Sequence, residues 1–156
     1  MLKALKRKSF RANQASFAIV ASEYNARYVD AMSKAAMREL RRAGAKSVQV
    51  IRVPGAYEIP VLAARLAREG SVSAIVCLGV ILRGETAHAA HIGEAVSQAL
   101  MQIQLRYEVP VIHEVLLLDN EEQARARCLG RKHNRGAEAA QTALAMAKIM
   151  EKLSLE

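Results

Sequence analysis

The chain has 156 residues, 52% hydrophobic and 24% charged, a composition that fits one soluble globular domain with enough length to bury a core. Its formal net charge is +8, but five basic residues (Lys3, Lys6, Arg7, Lys8, Arg11) and no acids lie in the first twelve positions. The remaining 18 basic and 15 acidic residues nearly balance, aromatics are only 4% and tryptophan is absent, which argues against a surface that reads nucleic-acid bases.

No apolar run approaches the roughly 18 residues needed to span a bilayer, so no membrane partner is expected. The basic start is followed by neither a signal-type apolar region nor a small-residue cleavage site. Residues 1–15 read as a basic N-terminal tail and residues 16–156 as a single domain. Cys77 and Cys128 have no spacing for a disulfide framework or a zinc knuckle, and both are expected as reduced thiols in a cytoplasmic protein.

Strand and helix patterns then alternate along the chain. The short apolar run 16–22 predicts a first strand. Asn25 is placed to cap a helix over 26–43, with Val29, Met32, Ala36 and Leu40 on one face and Gly44 as its stop. Residues 47–53 predict a second strand, broken by Pro54-Gly55, and residues 56–69 a helix ended by Gly70. The most apolar segment, 73–82, predicts a third strand feeding a long helix over 86–107. Pro110 precedes a fourth strand at 111–118. Asp119 is expected to cap a short helix, with Glu122 at the capping-box position, before a last helix over 134–153. Repeated βα units of this kind predict a four-stranded parallel sheet covered on both faces. Ligands of such sheets bind at the carboxyl ends of the strands, near the switch point of the strand order.

That rule directs attention to the loops. Tyr24 follows the first strand, where an aromatic either stacks on a planar ligand or simply packs. Gly55 permits close backbone approach, and the N–H groups of Ala56 and Tyr57 open a helix. Glu58 suits either the helix dipole or a hydrogen bond to a polyol. Arg83-Gly84-Glu85-Thr86 offers a guanidinium, backbone amides and a hydroxyl at a helix start, a setting for an anion. No Walker-type loop is present, which disfavours a nucleoside triphosphate. His88 follows in the first turn, and histidine is the side chain suited to moving protons beside a bound anion. His88 and His91 share a helix face, but no acid or thiol has matching spacing, so no metal site is expected.

Five segments occur in order: SEYN at 22–25, VPGAYEIP at 53–60, LGVILRGETAH at 78–88, EEQARAR at 121–127 and NRGAEAA at 134–140. Together they resemble the lumazine synthase family of riboflavin biosynthesis, over nearly the whole chain. The resemblance implies a flavodoxin-like three-layer αβα sandwich around a four-stranded parallel sheet. It implies condensation of 5-amino-6-(D-ribitylamino)uracil with 3,4-dihydroxy-2-butanone 4-phosphate to 6,7-dimethyl-8-ribityllumazine, without cofactor. It also implies homopentamers, in many members assembled into an icosahedral shell of 60 subunits, with sites shared between neighbours. By position, Tyr24 would stack on the pyrimidine, beside Asn25. Gly55, Ala56, Tyr57 and Glu58 would hold the ribityl chain, and Ile81 and Leu82 would bracket the ring. Gly84, Glu85 and Thr86 would form the phosphate loop, reached by Arg127 of the adjoining subunit. His88 would transfer protons, and Arg135 takes a place usually held by lysine near the reacting centre.

The chain also departs from the family. After the phosphate loop the family usually reads TPHFD(Y/H), whereas here Ala87, Ala89 and Ala90 surround His88. His113 replaces a phenylalanine lining the pyrimidine pocket, Glu114 a small residue, and Leu117-Leu118 a frequent Thr-Thr. These departures leave open a second reading: a catalytically weak or inactive paralogue, or an engineered scaffold, whose assembly binds flavin-like ligands.

Overall fold

The computed structural model describes residues 11–154. Most of the expected basic tail, residues 1–10, lies outside the described residues. The next few positions join the domain: Ala12 is buried and its N–H donates to the Ala43 carbonyl at 2.7 Å.

Four strands, β1 (Ser16–Ser22), β2 (Ser47–Val53), β3 (Ala74–Leu82) and β4 (Val111–Leu118), form one sheet. All pairings are parallel, in the order β2-β1-β3-β4. Both faces are covered, and for this reason β1 and β3 are almost wholly apolar rather than alternating. Side chains of odd number in β1 and even number in β3 and β4 (Phe17, Ile19, Val76, Leu78, Ile112) face one core. That core is closed by α1 (Ala26–Arg42), α4 (Glu121–Cys128) and α5 (Arg135–Ser154). Their neighbours (Ala18, Val20, Ile75, Cys77, Val115) face a second core under α2 (Ile59–Glu69) and α3 (His88–Tyr107). The layers are those of a three-layer αβα sandwich.

Helix ends show where local rules yielded to tertiary demands. Asn25 does precede α1, but its backbone is left-handed (φ 57°) and its side chain makes no cap. Instead Nδ2 donates to the Val80 carbonyl on β3 at 2.7 Å. Residues 56–69 begin as a 3-10 turn, Ala56–Glu58, before α2. Residues 83–87 stay in a loop, and α3 starts at His88, whose N–H lies 3.4 Å from Thr86 Oγ1. The cap of α4 is Asn120, not Asp119: Asn120 Oδ1 accepts from the Gln123 N–H at 2.9 Å. Gln123, not Glu122, returns the bond, its Oε1 accepting from the Asp119 N–H at 3.0 Å. Asn134 caps α5 by accepting from the Gly136 N–H at 2.9 Å, and its Nδ2 donates to the Cys128 carbonyl.

The α1–α5 contact is the tightest in the domain. A Cβ on Gly136 would lie 2.0 Å from the Met32 carbonyl oxygen, and backbone on backbone cannot yield. Gly136→Ala is expected to destabilise the fold by about 3 kcal/mol. Gly84→Ala, where a Cβ meets nothing within 4 Å, should stay within about 0.5 kcal/mol. Urea unfolding followed by circular dichroism compares them; equal midpoints would contradict this packing.

Candidate active site

The strand order reverses between β1 and β3, and the loops leaving their carboxyl ends gather there. Two backbone bonds, Glu23 N–H to Val53 O (2.8 Å) and Tyr24 N–H to Pro54 O (3.1 Å), tie the loop after β1 to the loop after β2. The Asn25–Val80 bond ties it to β3. Gly55 sits where these loops crowd: a Cβ there would be 2.8 Å from Glu58 Oε2 and 3.3 Å from Tyr24 Cδ2. The glycine is needed because a carboxylate and an aromatic ring close over its backbone, not because of a positive φ. Tyr24, Asn25, Gly55 and Glu58 therefore form one cluster, with Ala56 buried beneath it.

Tyr24 and Tyr57 are 72% and 64% exposed. The 3-10 turn carrying Tyr57 packs on α3, the helix that His88 begins. Gly84, Glu85, Thr86 and His88 are all exposed on this edge. Arg83, offered by the sequence as a cation for this loop, is engaged: its Nε donates to Asp119 Oδ1 at 3.0 Å. The Asp119 carboxyl is held below its ordinary range by the Gln123 side chain, then by Arg83, with the Arg127 charge adding to the effect. Ile81 and Leu82 end β3 on opposite faces, Ile81 against the α2–α3 core and Leu82 against the other. Period-two alternation of a strand separates adjacent residues in this way.

The other expected residues stand apart from that cluster. His113 on β4 meets the middle of α3, its Nε2 2.7 Å from Ser97 Oγ. Ser97 is nine positions along the helix from His88, about 13 Å of rise. His113 Nδ1 accepts from the Val115 N–H at 3.1 Å, and burial lowers the imidazole below its ordinary pKa. Arg127 is exposed on α4, and Arg125 beside it pairs with Glu121 at 3.0 Å. Arg135 opens α5 on the opposite side of the sheet from His113, bonded by Nε to Glu114 Oε2 at 3.1 Å and by Nη1 to Glu138 Oε2 at 2.9 Å. Ser97 and Glu138 were not singled out from sequence, and Glu114 only as a departure from the family near the pocket. A strand period marks the two faces of β4, but not which helix residues meet them.

Among the described residues, no group of three or more His, Cys, Asp or Glu is placed to hold a metal. No helix there is long and apolar enough to cross a membrane. Burial pushes the Cys77 thiol up to about 12 and, with the Glu114 charge second, that of Cys128 to about 11, so neither is a ready nucleophile.

Two variants probe this geometry. Asn25→Ala removes the bond to Val80 and places alanine in a left-handed backbone, at an expected cost of about 2 kcal/mol. Asn25→Gly should recover the backbone share of that loss, and equal midpoints for the two variants in urea would refute the strain. Burial, opposed by Arg135 and reinforced by Glu138, raises the Glu114 carboxyl from 4.5 to about 7. A carboxyl that keeps its proton longer when folded favours the folded state most below pH 4.5, and that advantage is gone above about 7. Wild type should thus lose stability relative to Glu114→Gln, which has no proton to release, as pH rises across this window. A difference that is flat with pH would remove the effect.

Comparison with known proteins places these loops in a family. The model of the family "6,7-dimethyl-8-ribityllumazine synthase" matches residues 14–151. A protein of that name from Xanthomonas euvesicatoria pv. vesicatoria is 41% identical over 145 residues, 92% of this chain and 94% of its own. Another from Xanthomonas oryzae pv. oryzae is 43% identical over 141 residues, covering 89% and 92%. One from Stenotrophomonas maltophilia is 42% identical over 141 residues, covering 89% and 91%. With a match across most of its length, the chain belongs to the 6,7-dimethyl-8-ribityllumazine synthase family.

Proposed function

We propose that this protein condenses 5-amino-6-(D-ribitylamino)uracil with 3,4-dihydroxy-2-butanone 4-phosphate to give 6,7-dimethyl-8-ribityllumazine. The observation that carries this reading is the gathering of the Tyr24 ring, the Gly55–Glu58 turn and the loop into His88 at the β1–β3 switch point. Tyr24 offers a face for the pyrimidine, and Glu58 with the Ala56–Tyr57 amides offers partners for a polyol. Gly84, Glu85 and Thr86 hold the phosphate, and His88 moves protons during imine formation, phosphate elimination and ring closure. Holding two substrates in register supplies much of the rate, because the bimolecular encounter becomes an intramolecular one.

The site works best as one shared by two subunits. Tyr24 and Tyr57 are too exposed to enclose a ligand alone, and His113, Arg127 and Arg135 lie away from their cluster in the same chain. A neighbouring copy would bring His113 against the pyrimidine, Arg127 to the phosphate and Arg135 to the reacting centre. That arrangement favours a homopentamer, alone or within a shell of 60 subunits, in the cytoplasm.

A second reading, an assembly that binds flavin-like ligands with weak turnover, is favoured by one observation. Ala89 and Ala90 follow His88, and among the described residues no carboxylate is hydrogen-bonded to its ring. An orienting acid would raise the basicity of the imidazole, and its absence costs rate.

A steady-state assay with both substrates separates the readings. Turnover by wild type, a fall of roughly a hundredfold in kcat for His88→Ala and a raised KM for the phosphate substrate in Arg127→Ala are expected. Ligand binding without lumazine formation would select the second reading. Native mass spectrometry should show pentamers or their multiples, and a monomer at micromolar concentration would overturn the shared site.

A further inference from the structure

Glu114 is 8% exposed, in the core-facing row of β4, and its carboxylate meets the guanidinium of Arg135. We propose that Glu114 is a positioning residue that, with Glu138, holds the Arg135 guanidinium in one orientation for the reaction. This rests on the reading above that Arg135 serves the reacting centre.

The geometry supports a clamp rather than a single ion pair. Glu138, one turn along α5, bonds Nη1 at 2.9 Å, while Glu114, on a different element, bonds Nε at 3.1 Å. Two carboxylates on two nitrogens of a planar group fix both its position and its plane. Glu138 alone is a half-buried partner of the i,i+3 kind, which orders an arginine weakly. The strand supplies the rigid half of the grip. Arg135 remains 38% exposed, so the held cation still reaches the surface at which a neighbour's site would lie.

Stability does not account for Glu114. A buried carboxylate loses hydration, and one guanidinium restores only part of it. The titratable groups that face it are few: Arg135 and Glu138 from α5, and the neutral Cys128 thiol from α4. His113, its neighbour in sequence, points to the other face. Desolvation consequently lifts the Glu114 carboxyl towards neutrality, to about 7. Its ionised form grips Arg135 more strongly than its protonated form.

The test compares wild type, Glu114→Gln, Arg135→Lys and the double variant, by kinetics from pH 5.5 to 8.5 and by the NMR signal of the Arg135 Nε–H. Wild-type kcat should rise with pH through the neutral range. Glu114→Gln should lower kcat about tenfold, or about 1.4 kcal/mol, with KM nearly unchanged and the rise flattened. In the Arg135→Lys background the same substitution should cost less, since an ammonium has no fork to hold. The Nε–H signal should be sharp and slow to exchange in wild type and lost in Glu114→Gln. An unaltered pH profile, or an equal cost in both backgrounds, overturns the clamp. If wild type shows no turnover, the proposed function fails, and the clamp is then judged by the Nε–H signal: its loss in Glu114→Gln upholds it, its persistence refutes it.

Discussion

The pairing of β1 with β3, rather than with β2 alone, is the constraint on which the chemistry of this domain depends. Because the chain leaves β1 for one edge and returns to the other side through β3, the helices diverge above the strand ends. The gap is where polar loops can sit without burying unpaired backbone. One bond, from Asn25 Nδ2 to the Val80 carbonyl, stitches the gap at its base. It explains why Asn25 abandons the cap its sequence position suggests: a left-handed backbone turns the amide across the sheet. The helix start gives up a side-chain partner, and the site gains a fixed floor.

The strands were legible because both sheet faces are buried, which makes continuous apolar runs unmistakable at β1 and β3. Gly44 and Gly70, with φ of 82° and 65°, ended helices as expected, since only a residue without Cβ adopts that backbone cheaply. The α4 cap was misassigned because Asp119 and Asn120 are equal candidates locally. The choice is made at a distance: Arg83, leaving β3, recruits the Asp119 carboxylate, and Asn120 is left to cap. Tyr24, Gly55 and Glu58 could be expected from their loops. That Glu58 folds back over Gly55 could not, because the contact depends on how two loops meet.

Electrostatics change the picture that composition gives. The loops looked cationic in sequence, yet Arg83, Arg125 and Arg135 each have a carboxylate partner. A paired guanidinium offers a phosphate less than a solvated one, since part of its field is already compensated. In the proposed reaction the work of attracting the phosphate would therefore shift towards backbone amides at the α3 start and towards Arg127. Arg127 is also the residue that, in the proposed shared site, would reach that loop from a second copy of the chain.

The two histidines of interest divide along the same line. His113 accepts from the Val115 N–H through Nδ1, so its proton sits on Nε2 and is donated to Ser97 Oγ. The Ser97 hydroxyl in turn donates to the Gly93 carbonyl at 2.7 Å. Every position in that chain is assigned, and Ser97 faces an imidazole N–H rather than a lone pair. The pair is not a nucleophilic dyad, for which the imidazole would have to accept the serine proton. Protonating His113 would cost the bond to Val115, and burial already opposes the charge. His113 is thus built to stay neutral and present a fixed ring, the service an aromatic residue would give at that position. His88 is exposed at the first turn of α3, and among the described residues no such network holds its ring. In the proposed reaction, proton transfer would fall to the histidine that the fold leaves unlocked.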